Sequence, residues 1–151
     1  MEKYRSLDEP YVRLIIREYR YWTLLLNEDQ RYFGRAYAWL VREGGMQRFS
    51  EITNDEYLEL RTVMREYESA LGELSKPDFM NYAWLANLIS QHSGHGHLHL
   101  IPRYKDSRTF AGIEFIDGRW GQNFSPSIEF KPAEIILIQI RDAIKEKIHS
   151  L

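Results

Sequence analysis

His95, His97 and His99 fall on alternate residues in the run His95-Gly96-His97-Leu98-His99, and His92 stands just upstream. In an extended chain, residues i, i+2 and i+4 share one face and lie about 6.6 to 7 Å apart. The three imidazoles therefore line one side of a strand, with Gly96, Leu98 and Leu100 on the other. Near neutral pH an imidazole can be a nucleophile, a general acid or base, or a metal ligand. The row suits either phosphoryl-type chemistry or the holding of a metal.

A sheet face selected for stability alone would carry valine or leucine. Three imidazoles instead bring ring nitrogens that cost about 1–3 kcal/mol each if buried without a partner. That weighs toward function. His-x-His on a strand can bring two rings to one zinc ion. The outer pair, however, is about 13 to 14 Å apart at the Cα atoms. With no cysteine in the chain, Asp or Glu from elsewhere would have to close the site. The nucleophile reading uses the line directly. A central imidazole attacks phosphorus and forms a phosphoramidate, while its neighbours fix the tautomer, donate to phosphate oxygens or protonate the leaving group. Backbone amides over Ser90-Gln91-His92-Ser93-Gly94 can add anion donors, as turn nests do. His149 is distant and reads as a solvated residue near the end of the last helix.

The elements that must position this row are legible in outline. Val12 to Arg17 and Tyr21 to Leu26 read as strands, the first competing with a short helix that starts at Pro10. Asn27-Glu28-Asp29-Gln30 breaks the apolar run, and Ala36 to Val41 resumes as a strand ended by Glu43-Gly44-Gly45. Thr53-Asn54-Asp55-Glu56 fits a capping box. After it Tyr57, Leu60, Met64, Tyr67 and Leu71 give an amphipathic helix, with Gly72 and Pro77 marking its end. Phe79 to Asn87, Gly94 to Tyr104 and Phe110 to Ile116 read as strands, and Asp117-Gly118 as a hairpin turn. Pro132 opens a terminal helix whose broad apolar face includes Ile135, Leu137, Ile138, Ala143, Ile144 and Ile148. Strands joined by tight turns, with two long helices, predict an α+β fold with a mainly antiparallel sheet.

The whole chain sets bounds. At 151 residues it fits one domain spanning 1–151, and 44% hydrophobic with 28% charged residues is ordinary for a globular protein. A net charge of −2 gives no global pull toward nucleic acid or an anionic membrane. The absence of cysteine excludes disulfides and thiolate chemistry and suits a cytoplasmic setting. MEKYRSLDEP lacks the apolar stretch of a signal peptide, and no apolar run is long enough to span a bilayer.

The run from His95 to Ile101, followed by Pro102-Arg103, resembles the signature of the histidine triad (HIT) family, His-φ-His-φ-His-φ-φ with φ hydrophobic. Asn81 to Asn87 resembles the Asn-rich strand before the triad in one bacterial and archaeal branch. Tyr21-Trp22 through Asp29-Gln30, Gly34 and the strand to Val41 resemble that branch's nucleotide-pocket strands. The resemblance covers roughly residues 12–116. It implies a HIT-like α+β fold with one long central helix and a C-terminal helix. It also implies hydrolysis at the α-phosphate of a dinucleoside polyphosphate or nucleoside phosphoramidate, through a nucleotidyl-histidine intermediate. By the same resemblance His97 is the nucleophile, His99 a phosphate-oxygen donor and proton donor to the leaving group, and His95 the residue that orients the nucleophile's side. Asn81 falls near the phosphates, and Asn27, or Asp29, near the ribose hydroxyls. Gln91 and Ser93 lie in the loop over the α-phosphate, and Arg35 can supply a fixed positive charge toward phosphate. Arg35, Arg103 and Lys105 are equally readable as strand-end surface cations. No metal or cofactor is implied beyond Mg²⁺ riding on the polyphosphate. The implied partner is a small-molecule nucleotide, with homodimers common in the family.

The chain departs from the pattern at Gly96, where a hydrophobic residue is expected, at Arg35 and Glu43-Gly44-Gly45, which replace common histidines, and in extra residues before His95. Retention of the third histidine favours a hydrolase. A nucleotidyltransferase or phosphorylase, a binding-only HIT protein and a histidine-based metal protein are the alternatives. Trp22, Tyr32 and Phe33 read as core, with a base-pocket wall as the competing role.

Overall fold

A computed structural model describes residues 9–42, 48–85 and 96–149. The described residues begin with a single turn of helix, α1 (Glu9–Val12), and then form β1 (Ile15–Glu18), β2 (Trp22–Leu26) and β3 (Ala36–Leu40). A 3₁₀ turn, Phe49–Glu51, precedes the long helix α2 (Asn54–Leu74). Then come β4 (Phe79–Trp84), β5 (His97–Arg103), the short strands β6 (Arg108–Phe110) and β7 (Ile113–Phe115), and the helix α3 (Glu134–His149). Five strands make one antiparallel sheet in the order β1-β2-β3-β5-β4, and β6 and β7 form a separate hairpin. This is the expected α+β fold.

Strand alternation divides the sheet into two faces. Trp22, Leu24 and Leu26 on β2, Ala36, Ala38 and Leu40 on β3, and Leu98 and Leu100 on β5 join one buried cluster. Leu60, Val63, Tyr67, Ala70 and Leu71 of α2 and Leu137, Ile140, Ile144 and Ile148 of α3 complete it. A large apolar side chain buried this fully contributes about 1.5–3 kcal/mol. Trp22, Tyr32 and Phe33 are core, with Phe33 packed 4.9 Å from the Phe115 ring.

The α2 N-terminus is the capping box read from sequence. Thr53 Oγ1 accepts from the Glu56 amide at 3.1 Å, and Glu56 Oε1 accepts from the Thr53 amide at 2.9 Å. Its end differs from expectation. Gly72 lies inside the helix, which stops where Lys76 turns left-handed, φ 51°. The Ser75 and Lys76 amides both donate to Leu71 O, and Arg108 then donates to Ser75 O at 2.6 Å and Lys76 O at 2.8 Å. A guanidinium thus satisfies carbonyls at the negative helix end. Tyr57 is 52% exposed, so the buried stripe starts at Glu56 and Leu60 instead.

Other boundaries also moved. Val12 closes α1, because the Leu14 amide turns back to Tyr11 O, and the strand begins only at Ile15. Phe110 to Ile116 is not one strand. Ala111 (φ 51°) and Gly112 (φ 77°) make a two-residue hairpin turn between β6 and β7. Asp117-Gly118 opens a turn, the Trp120 amide donating to Asp117 O at 3.3 Å, but no paired strand follows it among the described residues, and the Asp117 carboxylate binds Arg103 at 2.7 Å. Pro132 precedes the last helix, whose first bonds run to Ala133 O. Ile135 is 66% exposed and lies off its buried face, while His149 is exposed at the helix end as expected. No described helix is long and apolar enough to cross a membrane.

Candidate active site

β5 is extended through His97-Leu98-His99-Leu100-Ile101-Pro102-Arg103, so His97, His99, Ile101 and Arg103 share the face opposite the helices. Leu98 and Leu100 point into the core. The register with β3 sets Trp39 opposite His97 and Tyr37 opposite His99. These four rings form one aromatic patch. The Trp39 indole lies flat on His97, at 5.5 Å between centroids and 9° between planes. Tyr37 meets both imidazoles edge-on at 5.5 and 5.6 Å. The two imidazoles are 5.0 Å apart at their centroids, closer than the backbone spacing of i and i+2. Tyr11 of α1 backs Trp39 at 5.8 Å.

This packing has chemical consequences. Stacking on Trp39 fixes the plane of the His97 ring and covers one of its faces. Its Nδ1 is buried. A ring held in one orientation needs little reorganisation if it takes part in a reaction. An indole face also favours the imidazolium that forms when the ring gains positive charge. Burial holds the Tyr37 hydroxyl well above the usual phenol range, so it stays protonated beside the histidines.

Gly96, the departure from a hydrophobic residue, is accounted for by Trp84. A Cβ at Gly96 would come within 2.2 Å of the Trp84 indole. Trp84 pairs with Leu98, packs against the core and touches the Phe49 ring at 5.3 Å. The bulk expected before His97 is supplied by the neighbouring strand.

Toward the other end of β5, Arg103 is 5% exposed and donates through all three nitrogens. Nε and Nη2 bind Asp117 at 2.7 and 3.1 Å, Nη1 binds Asn81 Oδ1 at 2.9 Å and Gln122 O at 2.8 Å, and Nη2 binds Arg119 O at 2.7 Å. All five guanidinium donors are occupied. Asn81 lies on the histidine face, two residues from Ala83, which pairs with His99. Lys105 donates its amide to Asp78.

Asn27, Asp29 and Arg35 form a second buried network. Asn27 Oδ1 accepts from the Asp29 amide at 2.8 Å. Asp29 Oδ1 accepts from the Arg31 and Phe130 amides at 3.0 and 3.2 Å. Its Oδ2 pairs with Arg35 Nη1 at 3.1 Å, and the same nitrogen donates to Ser125 O. Arg35 is 1% exposed and Asp29 fully buried, so here they hold the loop 27–35 to the segment 125–130. Desolvation lowers the Arg35 pKa, and the Asp29 carboxylate opposes that shift. His95, Gln91 and Ser93, with His92, lie outside the described residues. Among the described residues no group of three or more His, Asp or Glu side chains is placed to hold a metal.

Sequence reasoning missed Tyr37, Trp39 and Trp84. The first two were findable, since they alternate on the strand that pairs with the triad.

Comparison with solved structures agrees with this fold. A HIT protein from Sinorhizobium meliloti 1021 superposes with a TM-score of 0.70 at 16% identity, covering 94% of this chain and 96% of that one. The fold is the histidine triad fold. A zinc-bound HIT family protein from Mycobacterium smegmatis matches with a TM-score of 0.60 at 14% identity, over 95% of this chain and 87% of that one. The diadenosine triphosphate hydrolase of Plasmodium falciparum matches with a TM-score of 0.62 at 14% identity, over 97% and 81%. Proteins with the HIT fold thus include a dinucleoside polyphosphate hydrolase. No family model and no curated protein sequence matches the chain.

Proposed function

We propose that the protein is a nucleotide hydrolase of the HIT type, acting at the α-phosphate of a dinucleoside polyphosphate or, as the second choice, of a nucleoside phosphoramidate. The observation that carries this reading is the pair of imidazoles 5.0 Å apart on one strand face, the first held flat against Trp39. In the first step His97 Nε2 attacks the α-phosphorus. A P–N bond forms, the bond from phosphorus to the leaving group breaks, and His99 gives a proton to the departing atom. In the second step water attacks the same phosphorus. Its proton passes to His99, the P–N bond breaks, and the mononucleotide leaves with His97 restored. Splitting one displacement into two is what a nucleophilic side chain contributes.

In this reading Asn81 sits toward the phosphates, His95 orients the nucleophile's side, and Gln91 and Ser93 contribute phosphate donors. Asn27, Asp29 and Arg35 shape the loop 27–35, and direct contact of Asp29 or Arg35 with substrate requires their mutual pair to open. Mg²⁺ accompanies the polyphosphate. The cysteine-free composition supports a cytoplasmic setting, and a homodimer is part of the same proposal, to be read by sedimentation.

The test is incubation with diadenosine tetraphosphate and Mg²⁺, with products separated chromatographically. A mononucleotide product and an acid-labile adenylyl adduct on wild type, both missing in His97→Ala, are expected. Undiminished turnover by His97→Ala would remove the nucleophile assignment. Stoichiometric zinc in the purified protein would move the reading to a metal site.

A further inference from the structure

We infer that Phe79, Trp120 and the cleft beside them form a subsite for the planar base of the leaving nucleotide. Phe79 is 67% exposed, yet its ring stacks on Trp120, 5.7 Å between centroids and 13° between planes. The pair borders a cleft of about 390 Å³ that Asn81, Gln122 and Asn123 also line. An aromatic pair left open to water beside amide groups is the surface on which a flat, hydrogen-bonding ring stacks.

The platform is built. Arg103 lies beneath it and holds the segment 117–122 through Asp117, Arg119 O and Gln122 O. Asp117 in turn accepts from the Arg119 amide at 3.0 Å, fixing the turn that carries Trp120. Arg103 also draws Asn81 Oδ1 toward itself, which leaves the Asn81 NH₂ as a donor toward the cleft.

Its position relative to the imidazoles assigns the ligand. Phe79 pairs with Arg103, and Ala83 pairs with His99, so platform and histidines occupy one face of the same two strands. Four residues of β5 separate the two levels, roughly 13 Å. A few phosphates and a ribose bridge that length. His99 lies on the platform side of His97, so a leaving group protonated by His99 departs toward Phe79 and Trp120. This rests on the nucleotidyl-transfer reading above, and it selects the dinucleoside polyphosphate over the phosphoramidate, which has no second base.

The experiment compares diadenosine tetraphosphate with adenosine 5′-phosphoramidate in wild type, Phe79→Ala and Trp120→Ala, with thermal melts as a folding control. The ratio of kcat/KM values, dinucleotide over phosphoramidate, should fall about 5- to 100-fold in Trp120→Ala, the range one base–aromatic stack supplies. A ratio unchanged in both variants overturns the subsite. Calorimetry in the His97→Ala background separates this from the catalytic reading. Diadenosine tetraphosphate should bind more tightly than ATP, and adding Trp120→Ala should erase the difference. If that holds while wild type turns over neither substrate, the hydrolase reading fails and the subsite stands. If His97→Ala binds the two ligands equally, the subsite fails whatever the turnover.

Discussion

The two ends of one sheet face are built on opposite principles. At the His97 end, polar rings meet aromatic rings: Trp39 flat on His97, and Tyr37 edge-on to both imidazoles. At the Arg103 end, charged groups meet partners within the chain: Arg103 with Asp117, and Arg35 with Asp29. Aromatic contacts fix a ring in place without occupying its hydrogen-bonding edge. Ion pairs fix a side chain by saturating it. The first end orders its imidazoles through ring contacts, whereas the second uses charge to hold the segment that carries Trp120.

That contrast can be broken by mutation, and His97→Ala is the strongest probe. Turnover should drop by at least ~10³-fold, as when a nucleophile is removed, while the urea midpoint moves little. A large stability loss with activity retained would reverse the assignment of the two ends. Asp117→Ala should do the opposite, leaving a buried guanidinium without its carboxylate at a cost of about 3–5 kcal/mol, read by urea unfolding. Pairing Asp117→Leu with Arg103→Met should restore part of that stability, since an apolar pair of similar volume removes the stranded charge. No loss in Asp117→Ala would mean the pair contributes little to holding 117–122.

Gly96→Ala sharpens the comparison at the border of the histidine end. The new methyl would meet the Trp84 indole at 2.2 Å, and overpacking of this kind costs about 1–3 kcal/mol. Because His97 follows directly, kcat should fall as well, and Trp84→Leu in the same chain should relieve both effects. A neutral Gly96→Ala would show that the indole swings away freely.

The smallest effect belongs to a control off this face. Burial alone would raise the Glu56 pKa, but Arg42 and the Thr53 cap overcome it and hold the carboxyl below its ordinary 4.5. Its folded value lies under the unfolded one. Its contribution is therefore present above about pH 4.5 and is lost as pH falls through the folded value. Thr53→Ala should cost about 1 kcal/mol at neutral pH, and Glu56→Gln should flatten the acid limb of the stability curve without altering the activity ratio between substrates. An acid limb unchanged in Glu56→Gln would assign it to other carboxylates.

Much of this was legible along the chain. Thr53 and Glu56 lie three residues apart, so their reciprocal bonds are a local property that needs no tertiary information. The alternation of His97, Leu98, His99 and Leu100 likewise follows from the strand itself. Asp117-Gly118 does turn, with the Trp120 amide donating to Asp117 O, but no paired strand follows among the described residues, and its carboxylate pairs with Arg103, which only the folded chain brings near. Tyr57 and Ile135 fit the helical periodicity and still ended exposed, since periodicity does not say how wide a stripe the sheet can cover. Arg35 read equally as a phosphate contact or a surface cation. Here it is neither exposed nor alone, because the segment around Ser125 folds back over it.

The amino-acid order alone determined which face of β5 carries imidazoles and where α2 begins, because both depend on dihedral periodicity and on groups within one turn of each other. The three-dimensional arrangement decided which ring lies on His97, what fills the space above Gly96, and which carboxylate neutralises Arg103. Those outcomes depend on the strand order β1-β2-β3-β5-β4 and on the path of residues 117–130, and they join residues that no local rule connects.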